Sequence, residues 1–245
     1  MQLKDASILL VDDEPLLLDI FGCWLKPVAG QVFCAGDGAQ ALQLLAKQRI
    51  DLIVSDVRMP VMNGISLLRS INKSGLHTPL VIFTSGFSDM EVREAYDLGA
   101  VALLEKPFQR ADLINAVKQS LLERNERWQT QLDHRPDPVL KRSFASLREA
   151  LQQRQIAFGR GGFCLETSQF MADGPVNIEL DFKDDRYVLR GQGIIRWLAH
   201  YEHQAGIEFT YVDEPSRGRV VQLTEESRSF IPRSTGRAIT SAGSS

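Results

Sequence analysis

Three carboxylates in a row follow an apolar run near the start of the chain. The run is Ile8–Val11 and the acids are Asp12, Asp13 and Glu14, while a further acid, Asp56, ends another apolar run. Carboxylates brought to contact distance repel one another by about 4 kcal/mol per pair at an effective dielectric of about 20. A group of this kind needs a cation, and a site of few carboxylates with all-oxygen ligands favours Mg²⁺ over Ca²⁺.

Asp56 has the chemistry to act both as a ligand of that cation and as a nucleophile. A carboxylate that attacks phosphorus forms an acyl phosphate, and a metal ion offsets the charge on the transferring group. Thr84 supplies a hydroxyl and Lys106 a positive charge, and each lies at the end of an apolar run. Both groups are suited to binding phosphoryl oxygens. These residues therefore predict a phosphoryl-accepting pocket with Asp56 as the acceptor.

Five short apolar runs alternate with helix-period segments over residues 7–119, which is typical of a parallel sheet covered on both faces. Strands are predicted at 7–12, 31–36, 51–56, 79–85 and 101–106. In such a doubly wound α/β fold, polar sites gather at the carboxyl ends of the strands. Asp12, Asp56, Thr84 and Lys106 all fall at these ends, so the predicted sheet brings them to one edge.

The same residues, in this order, resemble the receiver domain of two-component response regulators. The matching motifs are the acid pair Asp12 and Asp13, the Asp56 of "SDVRMPVMNG", the Thr84 of "FTSG" and the "KPF" that begins at Lys106. The resemblance implies a flavodoxin-like receiver domain over residues 1–122, with a doubly wound, five-stranded parallel sheet.

The resemblance also implies a reaction and its partners. A sensor histidine kinase or a phosphotransfer protein would donate the phosphoryl group to Asp56. Mg²⁺ would be held by Asp12, Asp13, Asp56 and the main-chain carbonyl of Arg58. The peptide bond before Pro107 would be cis and would aim the lysine at the site. Beyond its own phosphorylation and dephosphorylation, the protein is not expected to be an enzyme.

One position departs from the family's pattern. The family commonly has an aromatic residue three positions before the lysine, where this chain has Leu103. Thr84 and Lys106 are still expected to bind the phosphoryl group, but the side-chain switch at residue 103 is altered. Phosphorylation is then expected to move the surface of the last two helices and the final strand, as a two-state population shift.

The composition limits the remaining function classes. The chain has 28 basic and 31 acidic residues and a net charge of −3, so no overall positive field attracts nucleic acid. A DNA-binding regulator is the least favoured alternative, because the one basic helix predicted lacks a following recognition helix. The three cysteines are far apart and suit reduced thiols. No apolar run is long enough to span a membrane, and a cytoplasmic location is predicted.

A helical linker is predicted over residues 123–154. The helix after the "KPF" motif is expected to run from about residue 109 to 131, and a second helix to begin at Asp137 and Pro138. The second helix carries an apolar stripe at helical spacing, formed by Leu140, Phe144, Leu147 and Leu151. This stripe either packs within its own domain or pairs with a second copy of the chain. A homo-oligomer through the receiver or the linker helices therefore stays open.

Beyond residue 155 the pattern changes to glycine-punctuated, alternating runs, which are typical of an antiparallel sheet or a small barrel. Three of them, "VNIELDF", "LRGQGIIRWL" and "HQAGIEFTYVD", resemble the second half of PilZ domains, which are six-stranded barrels that often bind cyclic di-GMP. The resemblance implies a PilZ-like β-barrel over residues 155–230. The small polar residues of 231–245 predict a disordered tail.

The residues that hold cyclic di-GMP in that family are mostly replaced here. The family uses an RxxxR stretch and a [DN]xSxxG motif, whereas this chain reads "AFGRGG". Ala157 and Gly159 replace the acid or amide and the serine, and Gly162 keeps the final glycine. Arg154 and Arg160 are left as candidates for a nucleotide phosphate. The favoured hypothesis is therefore an output that contacts an unknown downstream protein, and the alternative is a cyclic di-GMP effector that integrates both signals.

Overall fold

The computed structural model describes residues 2–74, 79–86, 89–123, 126, 128–129, 131, 138–167, 172–225 and 227–233. The chain divides into two compact units, residues 1–123 and 124–245. The division falls close to residue 122, where the receiver-like region was predicted to end. Within the described part of the chain, no helix is long and apolar enough to cross a membrane.

The first unit is built on a five-stranded parallel sheet whose strands alternate with helices. In chain order it contains a 3-10 turn (Leu3–Asp5), β1 (Ser7–Val11), α1 (Pro15–Leu25), β2 (Gln31–Ala35), α2 (Gly38–Leu45), β3 (Leu52–Asp56), α3 (Gly64–Ser74), β4 (Leu80–Ser85), α4 (Asp89–Leu98), β5 (Ala102–Glu105) and α5 (Arg110–Leu121). The strand order is β2-β1-β3-β4-β5, and every neighbouring pair is parallel. The predicted five-stranded parallel α/β fold is confirmed.

Local sequence signals explain where these elements begin and how they pack. β1 and β3 are buried along nearly their whole length, as expected of central parallel strands covered on both faces. Asp37 caps α2 by accepting the main-chain N–H groups of Ala39 and Gln40, both at 2.8 Å. Because the strand order reverses between β1 and β3, their carboxyl ends open onto the crevice where such sheets bind ligands.

The second unit is built on a sheet that, in the described part of the chain, has six strands of mixed direction. It contains β6 (Val139–Phe144), α6 (Leu147–Gln152), β7 (Ile156–Phe158), β8 (Gly162–Glu166), β9 (Gly174–Phe182), β10 (Tyr187–Ala199), a 3-10 turn (His200–Glu202), β11 (Gln204–Val212) and α7 (Glu214–Leu223). The strand order is β6-β9-β10-β11-β8-β7. β6 and β9 are parallel and the other neighbours antiparallel, so the sheet differs from the purely antiparallel one predicted.

The predicted linker helices are wrong in two places. The helix after the "KPF" motif ends at Leu121, earlier than predicted. Residues 139–144 form strand β6 beside β9, and only Leu147–Gln152 is helical; the predicted start at Asp137 lies outside the described residues. The spacing of Leu140 and Phe144 is four residues, which suits one face of a strand as well as one face of a helix. Pairing with β9 decides between them.

The apolar stripe packs inside the second unit. Leu140, Phe144 and Leu147 belong to its buried core, and the Phe144 ring stacks on Phe182 with ring centroids 5.3 Å apart. The same core includes Trp128, which is 1% exposed. The second unit therefore begins well before residue 155, and residues 123–154 are in large part not a linker.

The predicted disordered tail also begins too early. Ile231, the first residue of the predicted tail, is buried with 0% of its surface exposed, as is Phe230 before it with 3%. Apolar side chains of this size are expected to be ordered by their burial, although the polar residues after them gave the sequence a tail-like composition. Residues 234–245 lie outside the described residues.

Candidate functional site

Asp12, Asp56 and Thr84 lie at the carboxyl ends of three neighbouring strands. Asp12 follows β1, Asp56 ends β3, and Asp56 is opposite Thr84 in the β3–β4 register. The three residues are buried, with 2%, 6% and 1% of their surfaces exposed. Burial of two carboxylates is costly unless partners compensate their charge. The surroundings of these two acids supply such partners.

The Lys106 ammonium bridges the two carboxylates. Its Nζ lies 2.9 Å from Asp12 Oδ2 and 2.8 Å from Asp56 Oδ1. The other oxygen of each acid accepts a main-chain N–H: Asp12 Oδ1 from Glu14 at 3.0 Å, and Asp56 Oδ2 from Arg58 at 2.6 Å. The predicted convergence of these two acids with the lysine is therefore present, and a single positive charge lies between them.

The electrostatics of this group follow from burial. Burial raises the pKa of Asp56 above its ordinary value, and the hydrogen bond from Lys106 opposes this rise without cancelling it. For Lys106, burial acts to lower the pKa, but the hydrogen bonds and negative charges of Asp56 and Asp12 outweigh it and raise the pKa. Asp56 is thus a poorly hydrated carboxylate beside a firmly charged ammonium.

The donor set suits a hard cation. Asp12 and Asp56 each direct one oxygen at the same positive charge, and carboxylate oxygens are the ligands that Mg²⁺ prefers. Asp13 is exposed next to Asp12, and among the described residues no group of three or more His, Cys, Asp and Glu side chains is arranged to hold a metal. The structure therefore brings together two of the predicted acidic ligands and leaves Asp13 at the rim.

The other predicted residues lie around this pair. The Thr84 carbonyl accepts the Val57 N–H at 3.2 Å, which joins the ends of β3 and β4. The Lys106–Pro107 peptide bond is cis, as the resemblance implied. Leu103 packs against the apolar core of the first unit. Thr84 and Lys106 thus lie next to Asp56, whereas Leu103 packs against the core.

Two features of the loop between β3 and α3 were not predicted from the sequence. Gly64 approaches the main chain of β3 so closely that a Cβ atom would overlap the Asp56 carbonyl oxygen and the Phe83 ring. The Arg58 guanidinium donates to the Gly86 carbonyl and pairs with Glu91. The "NG" dipeptide at the start of α3 is a turn signal and indicates a need for glycine there. No sequence signal indicates the Arg58–Glu91 pair, whose partners are 33 residues apart.

The glycine segment of the second unit, residues 159–162, packs closely against other parts of the same unit. The Gly161 N–H donates to the Phe230 carbonyl at 2.9 Å, and a Cβ atom at Gly161 would overlap the Phe230 ring. A Cβ atom at Gly162 would overlap the Ile207 carbonyl oxygen of the neighbouring strand β11. These glycines are required for close packing of the chain.

The two candidate arginines for a nucleotide lie on either side of β7 in the chain. Arg154 is exposed and lies before β7, whereas Arg160 lies after β7 and its main-chain N–H donates to the Ser229 carbonyl at 2.8 Å. Gly162 is thus required for packing, the main chain of Arg160 is bonded to Ser229, and Arg154 lies at the surface.

Residues 8–118 match the family model for the response regulator receiver domain. The transcriptional regulatory protein GlrR of Escherichia coli is 33% identical over 161 residues, which are 64% of this chain and 35% of GlrR. The sensor histidine kinase RcsC of Salmonella typhi is 35% identical over 117 residues, 48% of this chain and 12% of RcsC. The chain thus spans about a third of the length of GlrR and less of RcsC.

Solved structures show a similar likeness in the first half of the chain. The chemotaxis response regulator CheY4 of Vibrio cholerae is 29% identical, with a TM-score of 0.45, over 48% of this chain and 99% of CheY4. The family match includes every residue placed around Asp56, and the parallel sheet presents them at one edge. Residues 8–118 are therefore a response regulator receiver domain.

Proposed function

We propose that the protein is a response regulator of a two-component phosphorelay, in which Asp56 accepts the phosphoryl group and the second unit acts as the output. The convergence of the buried Asp12 and Asp56 on Lys106, beside Thr84, carries the proposal. The likeness to RcsC, which is named as a sensor histidine kinase, supports a kinase or a phosphotransfer protein as the donor. The proposal places this signalling in the cytoplasm.

Asp56 is the nucleophile of the proposed reaction. One of its oxygens attacks the phosphorus of a phosphohistidine, a P–O bond forms, the P–N bond breaks and the imidazole leaves. Mg²⁺, when held by Asp12, Asp13, Asp56 and the Arg58 carbonyl, would offset negative charge on the transferring group. Burial leaves the Asp56 carboxylate poorly hydrated, which makes it more reactive than a carboxylate in water.

Lys106 and Thr84 stabilise the product in this proposal. The Lys106 ammonium already faces both carboxylates, so it is placed to bind a phosphoryl oxygen on Asp56. Thr84 lies opposite Asp56 in the sheet and offers a hydroxyl donor. No further reaction is assigned to the protein beyond its own phosphorylation and dephosphorylation.

The second unit is proposed as a PilZ-like module that binds a downstream protein. The three segments that carry the resemblance form the adjacent strands β9, β10 and β11. Cyclic di-GMP is not part of the proposal, because Gly161 and Gly162 are needed for packing and Arg154 and Arg160 flank opposite ends of β7. GlrR is named as a transcriptional regulator, but the net charge of −3 does not favour direct binding of DNA.

Intact mass spectrometry tests the acceptor. The full chain is incubated with acetyl phosphate and Mg²⁺, and the wild type is expected to gain the mass of one phosphoryl group. The Asp56→Asn variant is expected to gain none, since an amide oxygen is a poor nucleophile. Asp37→Asn is the matched control, because Asn also caps helices and the Asp37 carboxylate accepts the first N–H groups of α2. Retained labelling of the Asp56→Asn variant would refute the assignment.

A further inference from the structure

Arg58 touches three parts of the receiver at once. Its main-chain N–H donates to Asp56 Oδ2 at 2.6 Å. Its guanidinium donates to the Gly86 carbonyl at 2.8 Å, just after β4, and to Glu91 Oε2 at 3.2 Å, in the first turns of α4. One residue therefore connects the phosphoacceptor with the segment that follows Thr84 and with α4.

A second ion pair lies in the same region but involves neither Asp12 nor Asp56. A groove of about 560 Å³ lies along the loop after β3, α3 and α4, and both ion pairs line it. Arg69 of α3 pairs with Glu94 of α4, one helical turn after Glu91. The two pairs are alike in chemistry, but only Arg58 also contacts Asp56. The Arg69–Glu94 pair is thus a built-in control for the Arg58–Glu91 pair.

Phosphorylation must disturb the contact between Arg58 and Asp56. An Asp56 oxygen bonded to phosphorus no longer carries its share of the carboxylate charge, so the acyl phosphate is a weaker acceptor for the Arg58 N–H. New negative charge appears on the phosphoryl oxygens instead. The Arg58 N–H therefore has a weaker contact with the Asp56 side chain after transfer, while the Arg58 side chain is bonded to Gly86 and Glu91.

We propose that Arg58 is a positioning residue that couples the phosphorylation state of Asp56 to the N-terminal half of α4 through Glu91. The inference rests on the proposed function, since it needs Asp56 to be the acceptor. It also offers a connection to α4 that does not use residue 103, where Leu103 replaces the aromatic side chain common in the family. The coupling works by a difference in contacts between two states of the receiver.

Hydrogen exchange on the full chain tests the coupling. Exchange of the α4 segment is measured with and without Mg²⁺ and beryllofluoride, a phosphoryl mimic, in the wild type, Glu91→Gln and Glu94→Gln. Both variants remove one negative charge from α4, and glutamine keeps the length and shape of the glutamate side chain. The ligand-dependent change in α4 is expected to shrink about two- to fivefold in Glu91→Gln, which is the scale of an exposed ion pair. Glu94→Gln is expected to keep the wild-type change.

A second measurement distinguishes failure of the Arg58 coupling from failure of the Asp56 acceptor assignment. Phosphoryl uptake is measured on the same samples by intact mass, and both variants are expected to be labelled like the wild type. If Glu91→Gln is labelled and shows the same change in α4 as Glu94→Gln, the coupling through Arg58 is refuted while the acceptor assignment stands. If the wild type takes up no phosphoryl group, the proposed function fails and the inference fails with it.

Discussion

The two units each have a motif at the ends of strands, and the structure gives the two motifs different roles. In the receiver, side chains from separate strands converge: Asp12 and Asp56 both contact Lys106. In the second unit, the glycine segment at residues 159–162 is occupied by Phe230 and by the main chain of a neighbouring strand. One motif brings reactive groups together, and the other permits close packing.

The two motifs differ in the free energy that their burial costs the folded protein. Two carboxylates that are 2% and 6% exposed lose hydration and repel each other, so their placement points to a function. A glycine in a strand has no such cost in charge, and it is used wherever two backbones or a ring and a backbone must approach. A family motif made of glycines therefore says less about ligand binding than one made of buried acids.

The largest predicted effect tests whether Gly162 serves packing. Gly162→Ala is expected to destabilise the second unit by about 3 kcal/mol, because the added Cβ atom would overlap a main-chain oxygen of β11 that cannot rotate away. Differential scanning calorimetry of the full chain measures the loss. Phosphoryl uptake by Asp56 is expected to persist, since the receiver has its own core.

Gly218→Ala is the matched control for that substitution. Gly218 lies within α7, and a Cβ atom there would meet no other atom within 4 Å. Alanine in a helix is favoured over glycine, so this variant is expected to be more stable than the wild type by about 0.5–1 kcal/mol. Equal stability of Gly162→Ala and the wild type would show that the glycine is not needed for packing.

A smaller effect is predicted for the stability of the receiver as a function of pH. Because burial raises the pKa of Asp56 in the folded state above its ordinary value of 3.8, the folded state retains the proton over a pH window in which the unfolded chain has lost it. Stability therefore falls as pH rises through that window, and the ionised acid lowers the free energy of unfolding at pH 7.

The Asp56→Asn substitution removes the buried charge that lowers the free energy of unfolding at pH 7. The variant is expected to unfold at a higher temperature than the wild type at pH 7, and the difference is expected to shrink as pH falls towards 3.8. Thermal unfolding followed by circular dichroism at several pH values, without added metal, measures it. A variant that is less stable than the wild type at pH 7 would mean that the Lys106 pair contributes more than burial costs.

The receiver was largely predictable from the sequence because its signals are local and repeated. Each strand is a short apolar run, and Asp12, Asp56, Thr84 and Lys106 mark the ends of four of them. The position of Asp13 and the Arg58–Glu91 contact were not predictable, since side-chain direction and a pair 33 residues apart leave no local pattern. The family resemblance predicted the ligands of Mg²⁺, and the parallel sheet explains why Asp12 and Asp56 lie together.

The second unit shows where local signals are insufficient. Its alternating runs predicted β9, β10 and β11 well, because alternation of buried and exposed residues is a direct signature of strands. The segment at 139–144 has apolar residues at a spacing of four, which fits two structures, and only pairing with β9 selects the strand. Phe230 contacts the glycines at 159 and 161, and Ile231 is buried, which the composition of the tail cannot reveal.

A crystal structure of the full chain with Mg²⁺ and beryllofluoride would show whether Asp56 accepts a phosphoryl group in this pocket. We expect beryllofluoride on an Asp56 oxygen, Mg²⁺ in contact with the Asp12 and Asp13 carboxylates, and the Lys106 ammonium and Thr84 hydroxyl turned towards the fluorine atoms. Asp12 and Asp56 side chains that point apart, with no adduct on Asp56 under conditions that saturate other receivers, would contradict it.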